Sequence, residues 1–243
     1  ASADMRRKIF LNTGTPGVDL LKTVKNNYNG EISFRYKPST AYRENNTLLN
    51  KLPFPILTVS EVEYSDPVAS TKYKETYEYR DGHFYFDNSF HKGFSGFGEV
   101  KKTDHEGNFT KYFYHQNEKS PDKTAFGKFE DHISKQGRIY REEHYTSAGK
   151  KFLESINKWN KRGVGNQSGE ESLLSSDGRY FVFLESTLSQ TFEGTANHRD
   201  QVATYLYDEY GNIVKKTEYG EVTGSDNGTF VDIGDDMVVT EIS

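Results

Sequence analysis

The sequence predicts an all-β fold of twisted antiparallel hairpins, with little or no helix and about fifteen strands. Three observations predict it. Aromatic residues are 14% of the 243, with 17 Tyr and 17 Phe against one Trp and two Met, and rings together with β-branched side chains favour strands. Polar and apolar residues alternate with period two in runs such as Glu31 to Lys37 and Lys72 to Arg80, which puts the two kinds on opposite faces of a strand. Glycines recur in short polar turns between these runs. The apolar fraction is only 33%, but a chain of this length buries roughly three quarters of its unfolded surface when compact.

The first hairpin runs from Val18 to Lys25, turns at Asn26-Asn27-Tyr28-Asn29-Gly30 and returns over Glu31 to Lys37. Asn-Gly supplies the positive φ such a turn needs. Pro38 ends the pairing. Ser39 to Lys51 reads as a polar loop in which Thr47-Leu48-Leu49-Asn50 has the makings of one helical turn. Leu52-Pro53-Phe54-Pro55 must be extended, because each proline restricts itself and the residue before it. Ile56 to Tyr64 is a long strand, Ser65-Asp66-Pro67 a turn, and Val68 to Lys72 leads into the stretch Tyr77 to Asp104 around which the chain is organised.

That stretch starts as a strand with Tyr73, Glu75, Tyr77 and Tyr79 on one face, and is expected to break at Asp81-Gly82. Beyond it Phe84, Tyr85, Phe86, Phe90, Phe94 and Phe97 are interleaved with Gly93, Gly96 and Gly98. Large rings beside residues without side chains suit close backbone approach. Phe94-Ser95-Gly96-Phe97-Gly98 therefore reads as a tight aromatic corner joining two strands, the second being Glu99 to Thr103.

Tyr77-x-Tyr79-x-x-Gly82, a polar loop at Asn88-Ser89-Phe90-His91-Lys92, then Phe94-x-Gly96-Phe97-Gly98-x-Val100 before Thr103-Asp104 resembles the middle region of the B component of bacterial insecticidal toxin complexes. In that family the region lies between a β-propeller and a Rhs/YD-repeat shell. Tyr36-Lys37-Pro38-Ser39-Thr40, Leu52-Pro53-Phe54-Pro55 and the Asp66-Pro67 turn match elements that precede the corner in the same family, in the same order.

After the corner come strand pairs joined by x-x-Gly-polar turns, at Asp104 to Asn108, Ser134 to Arg138, Thr146 to Lys150, Ser175 to Arg179 and Asp208 to Asn212. Their spacing is uneven, so they form a run of hairpins and not a solenoid. The last, Tyr207-Asp208-x-x-Gly211-Asn212 followed by an alternating strand, resembles a YD repeat of the Rhs type. Lys151 to Arg162 reads as a strand, although Phe152, Ile156 and Trp159 also have helical spacing. Gly163 to Ser172 is a glycine-rich loop. Arg179 to Ser186 is apolar at successive positions and is expected to be a central strand buried on both faces. Two regions follow: residues 1–104, ending in the aromatic corner, and residues 105–243, of YD-repeat-like hairpins.

Charge excludes one class of function. The 31 Lys and Arg and 36 Asp and Glu, net −5, are scattered along the strands, whereas nucleic-acid binding gathers basic residues on one face. No run approaches the roughly 20 apolar residues of a membrane span. There is no cysteine, hence no disulfide or thiol chemistry. The N-terminus lacks an apolar signal core, and the sequence reads as an excerpt of a longer chain.

No catalytic set emerges. His83 and His91, with Asp81 and Asp87, lack the spacing of metal ligands and read as polar loop residues. Glu142 and Glu143 are adjacent on a strand, so they face opposite ways and read as solvated charges. Asp232, Asp235 and Asp236 lack the loop of a calcium site. Neither catalytic residues nor a cofactor are expected, and the chain is not expected to be an enzyme. A glycan-binding or adhesion surface is the alternative, with Tyr73, Tyr77, Tyr79 and Phe84 as stacking residues. The resemblance implies a structural role for Tyr77, Tyr79, Gly82, Phe94, Gly96, Phe97, Gly98, Tyr207, Asp208, Gly211 and Asn212. It implies a secreted or cell-surface protein, part of the wall of a hollow β-shell around a C-terminal toxin. Its implied partners are the remaining shell and propeller, the enclosed toxin polypeptide and a pore-forming A component.

Overall fold

A computed structural model describes residues 20–50, 52–86, 89, 92–117, 127–164, 179–225 and 229–242. Asp87, Asn88, Phe90 and His91, most of the loop after Gly163 and the turn from Ser175 to Gly178 lie outside the described residues.

The described chain is all-β, without α-helix. The first half contributes β1 (Thr23–Lys25), β2 (Glu31–Pro38), β3 (Arg43–Glu44), β4 (Thr47–Leu48), β5 (Leu57–Asp66), β6 (Thr71–Phe86) and β7 (Lys92–Thr103). The second contributes β8 (Phe109–Tyr114), β9 (Ile139–Tyr145), β10 (Lys151–Gly163), β11 (Tyr180–Phe192), β12 (His198–Tyr207), β13 (Ile213–Gly224), β14 (Phe230–Asp232) and β15 (Val238–Glu241). Thirteen strands form one antiparallel sheet in the order β1-β2-β5-β6-β7-β8-β9-β10-β11-β12-β13-β14, with β15 on the same edge of β13 as β14. β3 and β4 make a separate small ribbon. Short polar turns return β2 beside β1, β6 beside β5, β8 beside β7, β10 beside β9 and β13 beside β12, which is the topology that local hairpins produce.

Four expectations change. Thr47–Leu48 is a strand of that ribbon and not a helical turn, because Leu49 N–H donates to Tyr42 O at 3.1 Å and closes a hairpin around Asn45 and Asn46, both at positive φ. β6 does not break at Asp81-Gly82. Asp81 adopts φ 55°, and the strand continues to Phe86 through a register shift between Gly82 and Phe84. The expected aromatic corner lies inside β7: Gly96, at φ 91°, supplies the extra residue of a β-bulge, which bends a strand without ending it. Among the five x-x-Gly-polar turns, Ser134 to Arg138 is not a hairpin. It overlaps a 3-10 turn at Ile133–Lys135, and Gly137 N–H donates to His115 O, 22 positions back.

β10 is a strand from Lys151 to Gly163. β11 lies between β10 and β12 as expected of a central strand, but Tyr180 to Thr187 are half-buried on both faces. Burial concentrates further along. Ile156, Leu188 and Val202 stand opposite one another on β10, β11 and β12, and with Val222 form the main apolar cluster, against which Phe129, Tyr219 and Phe230 pack. Beside this row runs a polar one, Glu143, Glu154, Gln190 and Asp200, also register partners in sequence. Among the described residues seven apolar side chains are buried, and sixteen polar or charged ones. The sheet is held by its ladder and by buried polar contacts as much as by an apolar core.

Candidate functional site

The buried polar groups converge where the two halves of the sheet meet. On the first side, Asn50 is 3% exposed. Its amide donates to Ser39 O at 3.2 Å and Tyr79 O at 2.9 Å, and its carbonyl accepts from Gly82 N at 2.8 Å. One side chain thus fixes the 39–50 loop to β6 on both sides of Asp81. Gly82 and Gly98 are buried there because no Cβ fits. At Gly82 it would lie 2.8 Å from Leu52, and at Gly98 2.6 Å from Gln116 Oε1 and 2.8 Å from Asp81 Oδ2. The amide of Gln116 donates to Asp81 O at 2.7 Å and Gly96 O at 3.0 Å, clamping β6 to the bulge of β7. Tyr42, Tyr79, Phe97 and Phe94 form an edge-to-face and tilted chain with centroid spacings of 5.7, 4.9 and 5.4 Å. Burial pushes the Tyr79 hydroxyl up to about 12, with the Tyr42 and Tyr114 hydroxyls adding to the shift.

Opposite lies a strap, Gly127–Lys135, that crosses the sheet face. Its Asp131 carboxylate accepts from Gln116 N and Asn117 N, each at 3.2 Å, meets His115 Nδ1 at 3.2 Å, and pairs with Lys128 Nζ at 3.1 Å. Lys135, 1% exposed, donates to Phe129 O and Glu130 O at 3.3 and 2.8 Å, so a buried ammonium folds the strap on itself. Phe129 plugs the main core, Glu130 pairs with Lys161 of β10, and the His132 ring sits 4.9 Å from that of Tyr180 on β11. Gln136 reaches back to Phe94 O at 3.3 Å. β6 and the bulge of β7 are thereby linked, through Gln116, Asp131 and Phe129, to the core of β10–β13.

A second buried set lies on β9 and β10. Arg141 pairs with Glu143 at 3.0 Å and with Glu154 at 2.5 Å, and Lys151 also pairs with Glu154. The Tyr145 hydroxyl donates to Glu143 at 2.8 Å; burial, then this bond, holds its pKa well above the ordinary phenol value. Glu142 does face the other way, 2.9 Å from His144. Glu143 is not the solvated charge expected of it, being 7% exposed. Its carboxylate and that of Glu154 are both engaged by Arg141, an arrangement that neutralises charge inside the sheet.

The Asp208 turn repeats the Asp104 turn bond for bond. Asp208 N donates to Asn212 O and Gly211 N to Asp208 O, while Asp208 Oδ1 accepts from Tyr210 N and Asn212 N and Oδ2 from the Asn212 amide. Asp104, Glu106, Gly107 and Asn108 make the same set. Thr146 to Lys150 uses a hydroxyl in place of the carboxylate. All three are three-residue hairpin loops with a left-handed glycine. Tyr207 anchors the last one by donating to Leu184 O at 3.1 Å.

The stacking candidates are dispersed. Tyr73 is exposed but already stacked on Tyr64 at 4.8 Å. Tyr77 donates to Glu75 at 2.9 Å, Tyr79 is in the aromatic chain, and Phe84 packs on Phe54. Among the described residues no three His, Asp or Glu groups are close enough to hold a metal ion, and no helix is long and apolar enough to cross a membrane.

Residues 11–119 match the family model described as "Insecticide toxin TcdB middle/N-terminal region". The first half of the chain is thus similar to the TcdB middle region. A crystal structure of TcdB2-TccC3 shares the fold at TM-score 0.58 and 18% identity, over 83% of this chain and 12% of that one. No curated protein matches. Asn50, Asp81, Gly82, Gly98 and Gln116 fall inside the matched TcdB region, while Asp131 and the strap lie beyond its end.

Gly82, Phe94, Gly96, Phe97 and Gly98 were legible in the sequence, but Asn50, Gln116, Asp131, His115 and Lys135 were not. One signal was present: Gly82 and Gly98 demand something close by, and short amides are suited to fill such space. Nothing local singled out Asn50 or Gln116 as the amides concerned.

Proposed function

We propose that this chain is a wall segment of a secreted toxin-complex protein, one layer of a hollow β-shell that encloses a C-terminal toxin polypeptide, and that no residue in it performs catalysis. The observation that carries this reading is that the described residues form a thirteen-stranded sheet with a small apolar core and sixteen buried polar side chains. Such a layer keeps its shape by strand pairing and internal ion pairs, and leaves both faces largely polar. It suits a wall more than a self-contained globule. The family of residues 11–119 and the fold shared with TcdB2-TccC3 support the same reading. The parent would then use a TccC-like partner and a pore-forming A component. Residues 1–104 would form the region that leaves the propeller and residues 105–243 the start of the shell, with the Gln116–Asp131 hub holding the two together. The test uses the intact natural gene product. Gel filtration followed by denaturing mass analysis is expected to give a large particle that releases a smaller C-terminal chain only on denaturation. A single uncut chain of ordinary hydrodynamic size overturns the proposal.

A further inference from the structure

His115 is 0% exposed. Its Nδ1 lies 3.2 Å from the Asp131 carboxylate, so in the neutral ring Nδ1 holds the proton and Nε2 is a bare lone pair. Nε2 has no hydrogen-bond partner among the described residues. The ring lies 5.2 Å from that of Tyr140 on β9. The charged groups acting on it are Asp131, which favours protonation, and the Lys128 and Lys135 ammoniums, which oppose it. Asp131 is already shared with Lys128 and with Gln116 N and Asn117 N.

We propose that His115 is a protonation latch, and that uptake of one proton from solvent at Nε2 releases the Gly127–Lys135 strap from the sheet. The imidazolium would hold a buried N–H without an acceptor, beside two ammoniums and one divided carboxylate. Opening the strap hydrates it. Burial, the largest effect, holds the His115 pKa below its ordinary value in the closed form. The closed form is therefore favoured above the open-state value of about 6.5 and loses that advantage as pH falls through the lower closed-state value, by at most about tenfold per pH unit for one proton. Release uncovers Phe129 and the Ile156–Leu188–Val202–Val222 cluster it plugs, creating an apolar patch in acid. This does not depend on the shell reading. His132, also on the strap, is held low by burial and then by Lys161, with Lys135 opposing and Glu130 and Asp131 favouring its protonation, so the two histidines must be separated.

Hydrogen–deuterium exchange on the full chain, corrected for intrinsic rates, tests it. Peptides spanning 127–138 are expected to lose protection as pH falls from 7.5 to 5, by no more than about tenfold per pH unit, while those of β11 to β13 do not. His115→Asn, whose amide replaces the Nδ1 donor without titrating, should keep its protection at pH 5, and His132→Asn should behave as the wild type. Loss of protection in His115→Asn with an unchanged midpoint overturns the latch. So does a wild-type strap that stays protected until the whole sheet unfolds. Should His115→Asn not fold, an NMR titration of the wild-type His115 ring decides: its midpoint coincides with strap opening if the latch is real, and the two are unrelated if it is not.

Discussion

Asn50 shows what one side chain does in a sheet with so little apolar core. Its three hydrogen bonds reach Ser39, Tyr79 and Gly82 from a buried position. Truncation strands two carbonyls and an N–H, each costing about 1–3 kcal/mol when left unpaired. Asn50→Ala should therefore lower unfolding free energy by about 3 kcal/mol in urea titration, and Asn50→Asp by a similar amount, because a carboxylate there faces two carbonyl oxygens. A change below about 1 kcal/mol in both would mean that water replaces the amide freely. Phe94 and Phe97 are half-buried, so alanine at either should cost about 2 kcal/mol, less than the ~3–5 kcal/mol of a fully buried ring. Gly98→Ala forces its methyl against Gln116 and Asp81. Because Gln116 is pinned by two bonds, overpacking should cost about 1–3 kcal/mol.

At the scale of elements, the hairpin turns provide a graded experiment. Gly149, Gly107 and Gly211 share positive φ values of 76°, 88° and 94°. A methyl at Gly149 meets open space, at Gly107 it meets Ser147 Cβ at 3.2 Å, and at Gly211 the Phe181 ring at 2.8 Å. The left-handed conformation alone costs an alanine about 1–2 kcal/mol. Alanine substitutions should destabilise in the order Gly149, Gly107, Gly211, with the last about 1–2 kcal/mol worse than the first for the added clash. Equal effects would show that the ring moves aside without cost. These turns were legible because everything they need lies within five residues: an Asp or Thr to accept, a glycine, and an alternating strand on each side. Ser134 to Arg138 carries the same letters, yet its glycine bonds to His115, a partner the local pattern does not contain. The left-handed residues Asp81 and Gly96 read locally as a break and a corner for a related reason. A left-handed residue ends a strand or kinks it according to whether a neighbour such as Gln116 holds the ladder together on the far side. The hub was out of reach of pattern reading, since Asn50 and Gly82, Gln116 and Asp81, and Gln136 and Phe94 meet only once the sheet has formed.

For the whole molecule the question is whether one ladder makes one cooperative unit. Every strand from β1 to β14, apart from the β3–β4 ribbon, lies on a single hydrogen-bonded path, which passes through the β7–β8 pair at the boundary between residues 104 and 105. A ladder alone is a weak link between halves, because edge-to-edge neighbours bury little apolar area. The strap adds a second link, from Gly96 through Gln116 and Asp131 to Phe129 in the core. Two links that share no residue pair make partial unfolding costly: freeing the first half strands the Gln116 and Gln136 amides and their Asp81, Gly96 and Phe94 carbonyl partners, and freeing the second pulls out Phe129. The wild type should thus unfold in one transition. Far-UV circular dichroism, which reports all strands, and the fluorescence of Trp159, whose Nε1 donates to Ile139 O at 2.8 Å just after the strap, should give the same urea midpoint. Phe129→Ala should lower both by an equal amount, about 2–3 kcal/mol for a partly buried ring. Midpoints that differ in the wild type would mean that residues 1–104 and 105–243 fold as separate units, with the hub a mere contact between them. Midpoints that coincide in the wild type and separate only in Phe129→Ala would assign the coupling to the strap.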